Sequence, residues 1–192
     1  MSGARCFVVG LLLAGAATEP VEGQGRALLF LAYGGYQIPA ASLSDQKDDL
    51  SPGWTAGGGL GLQLNANLAL RSLVSLAESD YGGPGLTPVE PAFRRIFATL
   101  DLQVGLPTSS SWAPYVFAGA GWIRVSPADL TLQDFGNFVT RFGAGTNYVV
   151  DNTFLTVFAE VGNTLYRFNE LGFNSYQYDV HISGGVAYAL PF

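Results

Sequence analysis

Asp179, His181 and Ser183 bring the residue types of an acid–base–nucleophile set to alternating positions near the end of the chain. In such a set a serine oxygen attacks, a histidine takes its proton and a carboxylate orients the imidazole. Spacing by two puts all three on one face of a strand, with neighbouring Cα atoms about 7 Å apart. Side chains so placed on one strand seldom close to the roughly 2.6–3.2 Å that proton transfer requires. The expectation is a structural histidine on a polar face and no enzyme. No metal cluster, phosphate loop or nucleotide motif accompanies these residues, and no cofactor is expected.

A second set of candidates is ionic: Arg71, Arg95 and Arg141 against Asp101, Glu160 and Asp179. Their positions gain meaning from the elements that carry them. The chain reads as about eight strand-like segments with period-2 patterning: Arg26–Ile38, Trp54–Leu64, Leu68–Ser79, Ala92–Gly105, Pro114–Val125, Asn137–Val150, Phe154–Phe168 and Tyr176–Phe192. Each strand has two faces. In the last, Tyr176, Tyr178, Val180, Ile182, Val186, Tyr188, Leu190 and Phe192 share one face, and Gln177, Asp179, His181 and Ser183 the other. In the fourth, Ile96, Ala98, Leu100, Leu102 and Val104 oppose Arg95, Phe97, Thr99, Asp101 and Gln103. In the seventh, Leu155, Val157, Ala159, Val161 and Leu165 oppose Thr156, Phe158, Glu160, Gly162 and Thr164. The second and sixth strands divide similarly, whereas the first and fifth are apolar on both faces and stay ambiguous.

Every ionic candidate falls on the polar face. Isolated burial of a charge costs several kcal/mol or more, so these groups must be paired or wet. Connection lengths place Arg71 near Asp101 on neighbouring strands and Arg141 diagonal to Glu160. An eight-stranded closed sheet is just wide enough to be filled by its own side chains. The expectation is an all-β, antiparallel, up-and-down barrel, apolar outside, whose interior holds a polar network of Arg71, Arg95, Asp101, Arg141, Glu160, Asp179 and His181. A water-soluble lipocalin-like barrel is the alternative, and it would point Leu100, Val157 and Leu190 inward.

Composition favours the first form. The chain of 192 residues is 48% hydrophobic and only 12% charged, against roughly a quarter charged in ordinary soluble domains. No apolar run approaches about 18 residues; the longest, 7–17, lies at the start. A chain apolar on average but never for long suits strands that show lipid at every second side chain. The net charge of -6 argues against a nucleic-acid partner, which needs a basic surface.

Residues 1–16 read as a cleavable signal peptide: Arg5, the apolar stretch Phe7–Leu13, and Ala14-Gly15-Ala16 as cleavage site. Cys6, the single cysteine, lies inside it, so a disulfide framework is not expected. Residues 17–25 form a short polar lead, and 26–192 the barrel. Connections alternate between long polar ones (39–53, 80–91, 126–136, 169–175) and mostly tighter ones (65–67, 106–113, 151–153). That asymmetry belongs to barrels whose short turns face the periplasm and whose long loops face outward. The acidic stretch Ser44-Asp45-Gln46-Lys47-Asp48-Asp49 is expected to be a solvated loop, with a divalent cation or a partner as a lesser reading.

With the leader 1–16, the glycine-spaced strands Tyr115-Val116-Phe117-Ala118-Gly119-Ala120-Gly121 and Arg141-Phe142-Gly143-Ala144-Gly145, and the end Gly185-Val186-Ala187-Tyr188-Ala189-Leu190-Pro191-Phe192, the chain resembles the OmpA/OmpX-like small outer-membrane β-barrels. The resemblance implies a Gram-negative outer-membrane protein, monomeric, in contact with outer-membrane lipid and lipopolysaccharide. It implies periplasmic chaperones and barrel-assembly machinery as partners in biogenesis, with Val186, Tyr188, Leu190 and Phe192 as the assembly signal. It also implies a structural or surface-interaction role carried by the external loops. Two other likenesses set the alternatives: a narrow OmpW-like barrel for small or hydrophobic molecules, and, through His181-Ile182-Ser183, the outer-membrane lipid A deacylases.

Overall fold

The computed structural model describes residues 26–40, 49–82, 93–106, 111–127, 134–168 and 175–192. The expected signal peptide, the lead 17–25 and most of the acidic stretch at 44–49 lie outside these residues. Eight long strands form the body: β1 (Ala27–Pro39), β2 (Gly53–Asn65), β3 (Leu68–Ser79), β4 (Phe93–Gly105), β5 (Trp112–Pro127), β6 (Phe135–Val149), β7 (Leu155–Phe168) and β8 (Ser175–Pro191). Each end lies within two residues of its sequence-based bound. Every strand pairs antiparallel with its neighbours in the chain, and β1 also pairs with β8, from Ala27 opposite Pro191 to Pro39 opposite Asp179. The sheet therefore closes and leaves no edge. A two-residue pair, Asp49–Leu50 with Tyr81–Gly82, joins two long connections beside the barrel.

Directly opposed residues point to the same side of a sheet, so register settles which side chains share the interior. Odd-numbered residues face the axis on β1 to β6 and on β8; on β7 the even ones do. The switch occurs at the turn 150–154, where Asn152 takes a left-handed φ of 58° and Thr153 donates its N–H to the Val150 carbonyl at 3.2 Å. Asparagine tolerates that backbone better than most residues. At the β2–β3 turn a register irregularity between Gln63 and Asn65 keeps Arg71 on the same side as Gly61. Without it the side chains of one strand would change faces relative to the other.

The outcome separates the two barrel forms. Leu100, Val157 and Leu190 are 52%, 44% and 49% exposed, while Asp101 and Glu160 are 0% and 6%. Greasy side chains clothe the outside and charges fill the middle; the lipocalin-like alternative has the opposite arrangement and is excluded. The two ambiguous strands resolve as well. On β1, Leu31, Tyr33 and Gln37 point in; on β5, Tyr115, Phe117, Ile123 and Val125 do. Apolar groups on both faces hid this, because the interior needs hydrophobic filler between its charges. That filler forms one cluster toward the long-loop end (Phe93, Phe97, Ile123, Val125, Val139, Tyr166) and another toward the turn end (Leu31, Leu73, Phe158, Ala187).

Gly119 shows how tight the interior is. It stands opposite Asp101, and a Cβ there would meet the Asp101 carboxylate and the Leu100 carbonyl. Gly119→Val is expected to lower unfolding free energy by about 1–3 kcal/mol, the usual cost of overpacking. Urea titration of the barrel refolded in lipid vesicles measures it; unchanged stability would show that the Asp101 carboxylate can move aside.

Candidate functional site

The inward polar side chains gather into two groups at different heights along the axis. The first is built on β3 to β8. Arg71 is ion-paired to Glu160 Oε1 and lies 3.6 Å from Asp101 Oδ2. Arg141 reaches Asp101 at 3.4 Å and Glu160 Oε2 at 3.7 Å. Arg71 and Asp101 are direct cross-strand partners. Arg141 is opposite Thr164 instead, so its contact with Glu160 uses the length of both side chains. The Tyr115 hydroxyl donates to Glu160 Oε1 at 2.7 Å. Two guanidinium groups, Arg71 and Arg141, approach the Phe117 ring, both with Cζ 5.1 Å from its centroid. Cation–π contact of this kind strengthens where water is excluded.

His181 closes this group. Its Nε2 lies 3.3 Å from Arg141 Nη2; arginine only donates, so this contact is a hydrogen bond in the tautomer that carries its proton on Nδ1. The ring sits over Gly162, where a Cβ would come within 2.6 Å of its Cε1.

The second group lies nearer the long-loop end. Arg95 Nη1 donates to Asp179 Oδ2 at 2.6 Å and to the Tyr166 hydroxyl at 3.1 Å, and its Nη2 to Ser79 Oγ at 2.5 Å. Gln37 Nε2 donates to the same Asp179 oxygen at 2.6 Å, and Tyr166 approaches it at 3.3 Å. The Asp179 carboxylate is thus committed to Arg95 and its neighbours. Among the described residues no hydrogen bond joins Asp179, His181 and Ser183 to one another, although all three point inward. Between the two groups lies a cavity of about 30 Å³ bordered by Tyr33, Thr55, Ser75, His181 and Ser183, room for about one or two waters.

The seven residues expected to form the polar network are all buried and face the axis. Among the described residues three inward arginines meet three inward carboxylates. Sequence reasoning missed Tyr115, Phe117, Tyr166, Gln37 and Ser79. Tyr115, Phe117 and Gln37 sit on the two ambiguous strands, and Tyr166 and Ser79 have no pattern that separates a network partner from filler. A wider cavity of about 320 Å³ occupies the turn end, with Arg71 at its inner limit and Gln63, Asn67, Gln103 and Asn147 among its walls. Among the described residues, no group of three or more His, Cys, Asp or Glu side chains is placed to hold a metal.

Outside, exposed aromatics form two bands. Trp54, Trp122, Phe138, Tyr176 and Tyr178 lie toward the long loops; Trp112 and Phe192, with the half-buried Tyr188, lie toward the turns. Trp112 packs on Tyr148 with ring centroids 5.0 Å apart. Aliphatic side chains fill the zone between, the arrangement of a barrel seated in hydrocarbon. Phe192 ends the chain 73% exposed, its N–H 3.4 Å from the Arg26 carbonyl. At the loop-side rim, Arg124 donates through Nε and Nη2 to Asp134 at 3.1 and 2.6 Å and holds that carboxyl below its usual range.

Known proteins agree with this geometry. Residues 7–189 match the family described as outer membrane protein beta-barrel domain. The structure of Neisserial surface protein A is similar at a TM-score of 0.60 and 17% identity, covering 84% of this chain and 96% of that one. The N-terminal β-barrel domain of Pseudomonas aeruginosa OprF gives 0.53 and 16%, covering 88% and 100%. The outer membrane protein OprG of the same organism gives 0.55 and 14%, covering 88% and 98%. No curated protein sequence matches the chain. With 183 of its residues inside the family's bounds (189 − 7 + 1) and a closed eight-stranded sheet wearing its apolar face outward, this chain belongs to the outer membrane protein beta-barrel domain family, and its place is the outer membrane of a Gram-negative cell.

Proposed function

We propose that this protein is a monomeric, non-enzymatic barrel whose lumen is closed to solutes and whose long loops, on the cell exterior, are its interaction surface. The observation that carries the closed lumen is the pair of ionic groups stacked along the axis, Arg71–Asp101–Arg141–Glu160 and Arg95–Asp179. Side chains from β3, β4, β6, β7 and β8 meet across the middle, held by charge. The commitment of Asp179 to Arg95 supports a non-enzymatic reading, since an esterase would need that carboxylate, or another, behind His181. The surface role rests on the contrast between long polar loops and short turns, and on a barrel interior already occupied by its own groups.

A narrow transport barrel is the second reading. It is favoured by the cavity of about 320 Å³ at the turn end, which would serve as one half of a path. Planar-bilayer recording decides between them. The closed barrel gives no resolved conductance steps, and Arg71→Ala together with Arg141→Ala opens steps or raises leak at least tenfold. Steady conductance in the unaltered protein would establish the transport reading instead.

The interior pairs are also expected to be coupled. Arg95→Met leaves the Asp179 carboxylate buried without its cation and should lower stability by about 3–5 kcal/mol. Adding Asp179→Leu should restore most of the loss. Urea titrations of the two single variants and the double one close the cycle; additive losses would mean that the pair is not a unit.

Orientation is tested on intact cells. The chain has no cysteine after Cys6, so single substitutions report cleanly. A membrane-impermeant maleimide is expected to label Ser44→Cys, in the first long loop, and to spare Ala66→Cys, in a short turn, until the cells are lysed. The reverse pattern would place the loops in the periplasm.

A further inference from the structure

We propose that Arg94, Arg124 and Arg167 form a binding site on the outer wall for the phosphates of an acylated, phosphorylated glycolipid of the outer leaflet. The proposal rests on the orientation argued above for the long loops. Among the described residues, the outward faces of the strands carry these three cations and no others, and all three lie at the loop end. The remaining described arginines are Arg71, Arg95 and Arg141 inside and Arg26 before β1. Cations on a barrel wall are tolerated near an interface and resisted in mid-membrane, so their height alone is ordinary. Their distribution around the barrel is not. They occupy one arc, β4, β5 and β7, whereas the corresponding wall of β1 and β2 presents Tyr36, Trp54 and Ala56.

Register makes Arg94 and Arg124 neighbours and sets Arg167 two strands further round, beyond β6. Arg94 is opposite Ser126, so Arg124 is its diagonal neighbour, with Cα atoms about 7–8 Å apart. Arg124 is opposite Gly136. Gly136 has no side chain, and the Trp122 indole lies across it; a Cβ there would come within 2.5 Å of the Trp122 Nε1. The indole thus lies over the residue whose backbone faces Arg124 across the ladder. On β7, Arg167 stands opposite Tyr176 with its Cζ 5.8 Å from the ring centroid. Guanidinium forks, an indole N–H and a phenol are donors suited to phosphate oxygens.

Among the described residues two carboxylates share the arc. Glu78 takes Nε and Nη2 of Arg94, at 3.0 and 2.9 Å, and Asp134 takes the same two nitrogens of Arg124. Exposed pairs of this kind are weak and screened. They hold each fork in place, and a phosphate dianion, with more charge and more acceptor oxygens, competes well for it. Below the arginines the wall turns apolar, with Trp122, Phe138, Phe142 and Val161 all exposed. Cationic donors above a greasy wall fit a molecule with phosphates at one end and acyl chains at the other.

The test uses the refolded full-length barrel in non-ionic micelles, titrated with diphosphoryl lipid A and followed by tryptophan fluorescence or native mass spectrometry. Binding should be at least tenfold tighter than for lipid A stripped of its phosphates. Arg94→Gln/Arg124→Gln/Arg167→Gln should lose at least tenfold, and Arg26→Gln should bind as the unaltered protein does. Heat-modifiable gel mobility confirms that each variant is folded. Equal binding by the triple variant overturns the proposal. Phosphatidylglycerol binding as tightly as lipid A overturns its glycolipid part. Inorganic phosphate displacing lipid A at equal concentration reduces the site to a free-anion site and overturns it too. The micelle assay has no inside or outside, so a failed orientation and a failed site read separately.

Discussion

A sheet crossing hydrocarbon cannot leave its backbone N–H and C=O groups unpaired, because no water is there to take them. The pairing of β1 with β8 along thirteen residue pairs answers that demand, and the rest of the molecule depends on it. Closure at eight strands fixes a narrow bore. A narrow bore lets side chains from opposite walls touch. Arg71 and Glu160, four strands apart, thereby become hydrogen-bonded neighbours, and the β1–β8 seam itself sets Gln37 beside Asp179.

Closure also dictates the chemistry of the interior. A guanidinium in so confined a space must find a carboxylate, and the matching of three cations to three anions is the arithmetic of that requirement. The aromatic rings are part of the same solution. Phe117 fills volume beside Arg71 and Arg141 while its π-system meets both charges, and Tyr115 and Tyr166 supply hydroxyls to the carboxylates. Small residues make room for this packing. Gly119 lets Asp101 lie against the wall, and Gly162 lets His181 do so. The result is an interior in which a histidine, a serine and an aspartate on one strand face is a structural arrangement, each side chain answering to a different neighbour.

Legibility in the sequence followed how strongly each strand differs between its faces. β4, β7 and β8 alternate cleanly, so their charged side could be assigned without coordinates. β1 and β5 were opaque, because Tyr33, Tyr115, Phe117, Ile123 and Val125 fill the interior with the same kind of surface that Phe30, Val116 and Trp122 show to lipid. Hydrophobicity has no direction, so it cannot tell an inward filler from an outward one. Arg71 and Asp101 could be paired from hairpin length alone, since they share adjacent strands. The reach of Arg141 to Asp101, two strands away, could not.

The sequence by itself determined the architecture and the setting: a period of two, turns rich in Asn and Asp, and apolar residues never in long runs admit one kind of membrane structure, because that pattern is local and each strand carries it independently. Only the tertiary structure decided which charge answers which, where Tyr115 and Phe117 lie, and that Arg94, Arg124 and Arg167 share one side of the wall. Those are properties of curvature and register. They arise when a sheet bends until its first strand meets its last, and residues far apart along the chain then share a few ångströms.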